Sequence, residues 1–464
     1  MSERTEEIRQ HLTSTSESFR QRLLDWVRIP SIAGDEEHRR ALLDSAELFA
    51  EYCRADGFPR VEVWPQGDSN AVFAEWPTPG GAGAPTVLVY SHHDVRALAG
   101  DKWTVGDPFD PFIRDGLLYG RGSSDAKAQA LMHLWALSAH LGSHGSAPRV
   151  HVKLLIEGEE ELGSPHLQSL LDEHRADLGC DFVLFSDTTL VDADYPAVCT
   201  SVRGMLGATV TLHGPQRDVH SGAVSGPAPN PILDLAFLLA RLHDERGRIT
   251  LPRFYDRVST PDAAQRAEYA ALPITPSTWL EETRTPRVGG EEGFTIPELL
   301  WARPSLEVIS IEGGDTEGLP RAVIPATATA ELSIRIVDGQ RTEEVGQQLR
   351  EWLEREATGL QWELTLSELT AQQPYRTPQS PQLDALAAAM GAGFESAEVG
   401  RMGNAGGGPA ELLARMLDAP VLFFGTGLVT DNWHAADERV DLAVVEKGAA
   451  TLAHFWALIA EQQS

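Results

Sequence analysis

Four short apolar segments each run directly into histidine or acidic residues, and no other feature of the sequence constrains the fold as much. Thr86-Val87-Leu88-Val89-Tyr90 leads into Ser91-His92-His93-Asp94-Val95, and residues 150–156 lead into Glu157-Gly158-Glu159-Glu160-Glu161-Leu162-Gly163-Ser164. Residues 182–185 are followed by Ser186-Asp187, and past 420–424 lies Trp433-His434-Ala435-Ala436-Asp437-Glu438. Runs this short and this apolar suit strands buried on both faces of a parallel sheet. Between the first two sits Tyr119-Gly120-Arg121-Gly122-Ser123-Ser124-Asp125-Ala126-Lys127, followed by a helical pattern over 126–141. Strands alternating with helices predict an α/β fold, a mostly parallel sheet with helices on both faces. Open parallel sheets bind ligands beyond the carboxyl ends of their strands, and there the His, Asp and Glu side chains converge.

Residues 5–56 read as two helices broken at Arg28-Ile29-Pro30-Ser31-Ile32, with Pro30 ending the first. Strand-like runs at 61–64 and 71–76 precede a Pro/Gly/Ala-rich loop over 75–85. From about residue 205 the rhythm changes. A strand (207–212), a helix (230–244), a polar insertion (245–304), strands at 305–311 and 328–336 and a helix (341–357) predict a small α+β unit. It would be inserted into the first domain, dividing the chain into 1–204, 205–374 and 375–464. A helix at 380–391 and the strand at 420–424 return to the α/β pattern.

A chain of 464 residues is too long for one ordinary core. Its net charge of −30 repels phosphate backbones and anionic headgroups, so nucleic acid and membrane are excluded as expected partners. An anionic substrate would need locally concentrated positive charge. Cys53, Cys180 and Cys199 are few and irregularly spaced, as expected of buried thiols in a reducing compartment. The N-terminus lacks the charged-then-apolar pattern of a signal peptide, and no apolar run suggests a membrane span. A cytoplasmic chain is the expectation.

Two imidazoles and three carboxylates without a thiolate suit borderline-hard dications: zinc first, manganese or cobalt as alternatives. One carboxylate can bridge two such ions roughly 3.5–4 Å apart, leaving one His and one acidic residue for each.

Motif by motif, over nearly the whole chain, this sequence resembles the M20 metallopeptidases. His92-His93-Asp94 is similar to that family's His-x-Asp, and Gly120 to Ala128 to its Gly-Arg-Gly-x-x-Asp-Asp-Lys-Gly. Glu157 to Ser164 is similar to its Glu-Gly-x-Glu-Glu-x-Gly-Ser, Ser186-Asp187 to its Ser-Asp, and His434 to Glu438 to its His-x-x-Asn-Glu. The resemblance implies a zinc-exopeptidase-like catalytic domain in which His92 and Asp187 hold one metal, Glu161 and His434 the other, and Asp125 bridges. It also implies a cis peptide after Asp125. Glu160 adjoins a ligand without being one, so it can take a proton from the attacking water and deliver it to the leaving amine. Asp94, two residues beyond His92 on the same side of an extended segment, can fix that imidazole's tautomer.

Asp218-Val219-His220-Ser221-Gly222 resembles the family's lid and dimerisation domain, whose histidine reaches the neighbouring subunit's site. Ser333-Ile334-Arg335 resembles its Ser-x-Arg, whose arginine binds the substrate's terminal carboxylate through a bidentate fork. Arg203 is a weaker candidate for the same task. Val323-Ile324-Pro325 and Ile311-Glu312-Gly313-Gly314 resemble the dipeptidase branch that includes carnosinases. Three departures stand out: Ala126 and Ala128 in the bridging motif, Asp437 in place of Asn, and Asn404-Ala405-Gly406-Gly407-Gly408-Pro409 in place of Gly-Gly-Ser-x-Pro. The resemblance implies a homodimeric two-metal hydrolase of dipeptides or short peptides. An N-acyl amino acid deacylase on the same scaffold is the alternative, and a catalytically silent binding protein is a third reading. His93, His133, His140, His144, His213 and His454 read as ordinary structural histidines. Gly120-Arg121-Gly122 lacks the third glycine of a dinucleotide loop.

Overall fold

The computed structural model describes residues 3–79, 83–98, 100, 102–144, 148–315, 319 and 321–462. Its larger sheet runs in the order Arg60–Gln66, Ser69–Trp76, His151–Glu157, Thr86–His92, Phe182–Phe185, Val421–Phe423, Ala197–Val202, Tyr375–Arg376, with Gly400–Asn404 also on Ala197–Val202. The middle four strands are parallel. Toward the edges the sheet is mixed: Arg60–Gln66 and Ser69–Trp76 form an antiparallel hairpin, and Ser69–Trp76 and Ala197–Val202 run antiparallel to their inner neighbours. The expected parallel sheet is therefore its centre, where crossover helices make parallel pairing necessary. A short turn allows only the antiparallel arrangement at the hairpin.

Alternation along each strand divides the core in two. Val87 and Val89 point into one cluster with Trp26, Phe49, Leu131 and Trp456, under the helices Glu3–Val27, Arg39–Ala55, Ala128–His144, Pro381–Gly393 and Leu442–Glu461. Leu88 and Tyr90 point into the other with Leu170, Leu413 and Trp301. The helix Leu442–Glu461 is long and apolar enough to cross a membrane, but 72% of that window is buried within the protein.

Gly204–His213, Ser305–Gly313, Thr327–Ile336 and Gln361–Gln372 make a second, wholly antiparallel sheet. Leu206, Ala208, Val210 and Leu212 alternate inward beneath the helices Pro231–Leu239 and Thr342–Glu356. The helix expected over 230–244 ends at Leu239. The polar insertion carries the helices Ala263–Ala270, Pro276–Thr283 and Ile296–Trp301, and Tyr269 and Trp301 pack into a core cluster of the larger sheet. Those helices escaped the sequence reading because each is only six to eight residues long and proline breaks the segment between them.

Trp352 is 1% exposed at the centre of the smaller core, and its indole N–H donates to Thr250 Oγ1 at 3.0 Å. Replacing Trp352 with Ala should destabilise that unit by about 3–5 kcal/mol. Denaturant unfolding followed by circular dichroism measures this, and an unchanged midpoint would show that the smaller core is loosely packed.

Candidate metal centre and its supports

The carboxyl ends of the middle strands bring His92, Glu160 and Asp187 together, with one potential ligand atom from each within 4.8 Å of the others. Asp125, Glu161 and His434 form a second such group. Asp125 joins the two: Oδ1 lies 3.2 Å from His92 Nε2 and Oδ2 lies 2.9 Å from His434 Nε2. His92 Nε2 is 3.7 Å from Asp187 Oδ1, and His434 Nε2 is 3.3 Å from Glu161 Oε2. All five expected metal ligands thus meet. Glu160, expected beside the ligands, lies close enough to His92 and Asp187 to reach the same cation.

Charge makes this cluster unusual. Burial, then the neighbouring Asp187 carboxylate, holds the Glu160 carboxyl well above its ordinary range. Glu161 and Asp187 are raised, also chiefly by burial. Burial works against a charge on His92, yet Asp187, Asp125 and Asp94 outweigh it and raise the imidazole well above its usual value. His434, opposed by burial but paired with Asp125 and Glu161, is pushed up to about 11. Asp187 Oδ1 is buried without a hydrogen-bond partner among the described residues. Four carboxylates, two imidazoles and that unpartnered oxygen fit a pair of divalent cations, which would neutralise charge the protein leaves uncompensated.

Each member is held from behind. Asp94 lies beside His92 (Nδ1 to Oδ1, 3.4 Å), and its carboxylate accepts the backbone N–H of Glu160 (3.2 Å) and Glu161 (3.0 Å). The carboxylate therefore fixes both strand ends, whereas the His92 ring finds its hydrogen-bond partner in the Asp94 backbone carbonyl (Nδ1 to O, 3.1 Å) and not in the carboxylate expected to hold its tautomer. The break at Pro30 is used too: Ser31 Oγ donates to the His93 carbonyl, and Ser31 O accepts from Val95 N–H. Asp125 sits on a buried segment whose peptide to Ala126 is cis, as the resemblance implied. The Glu438 carboxylate gathers that segment, accepting from Arg121 (2.8 Å) and from the N–H of Gly122, Ser124 and Asp125 at 3.0–3.2 Å. Gly122 adopts φ +82 there, where a β-carbon would strike Val95. The Lys127 ammonium, fully buried and pushed down to about 7 by burial, donates to the carbonyls of Trp26 and Ile29 at the end of the first helix. Ser124, Asp431 and Trp433 complete the brace, Ser124 Oγ donating to Asp431 and accepting from the Trp433 indole. Sequence reasoning quoted Glu438 inside a motif without a role and missed Asp431; neither a spacing rule nor a charge pattern marks them.

The substitution of Asp437 has a local explanation. Its carboxylate accepts Thr104 N–H (2.7 Å), Thr104 Oγ (2.6 Å) and Val105 N–H (3.2 Å), three donors that suit an acceptor-only side chain. His220 and Arg335 belong to neither ligand group. His220 is an exposed residue in a two-residue ladder with Val323–Ile324. Arg335 is half-buried on the smaller sheet, opposite Ser305 and Met205. Of the histidines read as structural, His133 supports the site, Nε2 lying 2.7 Å from Ser186 Oγ, and the His144 side chain lies outside the described residues.

The sequence profile of Peptidase family M20/M25/M40 matches residues 88–458, a span holding every residue of this centre. The chain belongs to peptidase family M20. It is 30% identical to the human Beta-Ala-His dipeptidase over 367 residues, covering 75% of this chain and 71% of that one. It is 28% identical to the Cysteinylglycine-S-conjugate dipeptidase of Corynebacterium striatum over 385 residues, 80% of each. The solved structure of human carnosine dipeptidase 1 superposes with a TM-score of 0.84 at 26% identity over 98% of this chain and 99% of that one. The di-peptidase Dug1p of Saccharomyces cerevisiae shares the fold with a TM-score of 0.86 at 23% identity over 99% of both. As an M20 member the chain is a hydrolase of the metallopeptidase class.

Metal ligands bind in their deprotonated forms. With His92 and His434 held protonated by their carboxylate neighbours, each cation must displace protons. Zinc or manganese affinity of the metal-free M20 chain should therefore rise with pH across the neutral range, with net proton release. Calorimetry in buffers of different ionisation enthalpy measures it; binding without proton release would show that the imidazoles are neutral beforehand.

Proposed function

We propose that this chain is a dipeptidase that works with two divalent cations, zinc first and manganese or cobalt as alternatives. The observation that carries the reading is Asp125, whose two oxygens face His92 and His434 from between two ligand groups. His92 and Asp187 would hold one cation and Glu161 and His434 the other, with Asp125 shared. The names of the curated relatives favour dipeptides over N-acyl amino acids as the substrate. Bound cations would polarise the scissile carbonyl and make water acidic enough to attack at neutral pH. Glu160 takes the proton from that water and returns it to the leaving amine. Asp94 keeps His92 oriented, and Arg335 receives the terminal carboxylate. The three cysteines are free thiols, which suits a cytoplasmic setting.

A homodimer formed by the residue 205–374 unit belongs to this reading. Leu233 (56% exposed), Phe237 (68%), Ile309 (62%) and Ile311 (59%) crowd the helix Pro231–Leu239 and the edge strand Ser305–Gly313, an apolar face that a second copy would cover. Such a partner would offer the exposed His220 to the opposite site, as a donor to the developing oxyanion. On this proposal His220→Ala lowers turnover more than metal affinity. Mixed dimers of a His220 variant with a Glu160 variant regain part of the activity, having one intact composite site. A fully active monomer, or mixed dimers without recovery, would overturn the shared site.

Glu160→Gln should keep the fold and metal content while turnover falls by roughly 10²–10⁴-fold. A panel of dipeptides against N-acyl amino acids, assayed with added zinc or manganese, tests both substrate class and variant. Near-normal turnover would assign the proton to another group, and a preference for N-acyl substrates would favour the deacylase.

A further inference from the structure

In a chain with 38 basic and 68 acidic residues, an arginine without an acidic partner in a buried setting is conspicuous. Arg203 is such an arginine, and the half-buried Arg335 stands near it across Ser305. Arg203 is 8% exposed, and neither guanidinium has a carboxylate within ion-pair distance among the described residues. Burial, then the neighbouring Arg335, pushes Arg203 down to about 9. Arg335 is lowered by burial alone. Glu307, the acidic residue that most favours the Arg203 charge, forms no ion pair with it.

The contacts of Arg203 run in two directions. Toward the larger sheet, Nε donates to the Ala405 carbonyl (3.0 Å) and its backbone N–H to the Gly406 carbonyl (3.1 Å). That glycine-rich loop continues to Gly408, which packs so tightly against Phe185 that a β-carbon would meet the ring at 2.8 Å. Phe185 ends the strand that delivers Asp187 to the metal centre. Toward the smaller sheet, Arg203 NH1 donates to Ser305 Oγ at 3.4 Å, and Ser305 lies directly across the ladder from Arg335. One buried side chain therefore bonds both to the glycine-rich loop that packs behind the Asp187 strand and to Ser305, on the strand paired with the one bearing Arg335.

We infer that Arg203 is a positioning residue for recognition of the substrate's free carboxylate, setting the reach from Arg335 to the reacting bond and keeping the Arg335 fork unneutralised until a carboxylate arrives. The inference rests on the dipeptidase reading above, in which Arg335 meets that group. Arg203 does not itself touch the substrate: its Nε and one terminal nitrogen are engaged by the protein, and its role is field and geometry. Two desolvated like charges attract a carboxylate more strongly than one, and only an anion offsets the cost of burying them together.

The test compares a dipeptide with its C-terminal amide, a pair differing only in the charge Arg203 is proposed to serve. KM and kcat are measured on the metal-loaded enzyme, and calorimetric affinity for both ligands on the Glu160→Gln variant. Arg203→Met should raise KM and Kd for the free acid about tenfold, leaving kcat and both constants for the amide near wild type. Ser305→Ala should move the same acid-to-amide ratio in the same direction by a smaller factor. Arg203→Lys keeps the charge but not the fork, so it should fold even if the methionine variant does not, with the ratio still reduced. An unchanged ratio in all three variants, or equal losses on acid and amide, overturns the inference. If wild type cleaves no dipeptide yet binds the free acid in an Arg203-dependent way, the functional reading falls and this one stands. If it binds neither ligand, both fall.

Discussion

Like charges packed together at a mostly buried site govern this molecule. Asp125, Glu160, Glu161 and Asp187 converge at one end of a sheet, each buried or nearly so, with only two imidazoles to offset them. Left alone, such a cluster would expand or take up protons. It stays compact because every contributing segment is tied down independently of the cluster itself. The ties are directional hydrogen bonds to carboxylates outside the two ligand groups: Asp94 accepts from two backbone N–H groups, and Glu438 from three more. The protein thus carries the electrostatic cost in advance, and the free energy recovered on cation binding follows from that arrangement.

The two halves of the chain divide charge between them. The larger sheet gathers carboxylates at one end, while the junction with the smaller sheet holds arginines that have no acidic partner among the described residues. On the dipeptidase reading proposed above, a small substrate with an anionic end and a polarisable carbonyl would meet opposite charge at both ends, within a surface that is otherwise strongly acidic. The long connection between the halves is structural: Tyr269 and Trp301 fasten it to the larger core.

The convergence of the candidate ligands was legible in the sequence because they sit where apolar runs stop, and burial forces those runs into strands whose ends coincide. His92, Asp187 and the Glu160–Glu161 pair follow from that logic, and Asp125 and His434 needed the motif resemblance as well. The supporting partners were not legible. Glu438 and Asp431 act through contacts some 310 residues away in sequence, fixed by tertiary packing that no local pattern encodes. Sheet polarity was read correctly only in the middle, since apolar runs report burial and not direction. The long strand Gln361–Gln372 went unrecognised because polar residues alternate through it and only one face is covered.

The order of the ligands along the chain has a consequence for how the protein is made. His92, Glu160 and Asp187 have all left the ribosome long before residue 434 is translated, so the first ligand group can be complete while the second waits. The segment carrying Asp125 must hold its shape without Glu438, its main anchor, 313 positions downstream. During synthesis Lys127 on the first helix is the tie available to it. A chain released before residue 434 would carry His92, Glu160 and Asp187 but neither His434 nor Glu438. On the two-cation reading proposed above, the last thirty or so residues are the latch of the centre: they bring His434 to the second group and Glu438 to the segment that carries Asp125.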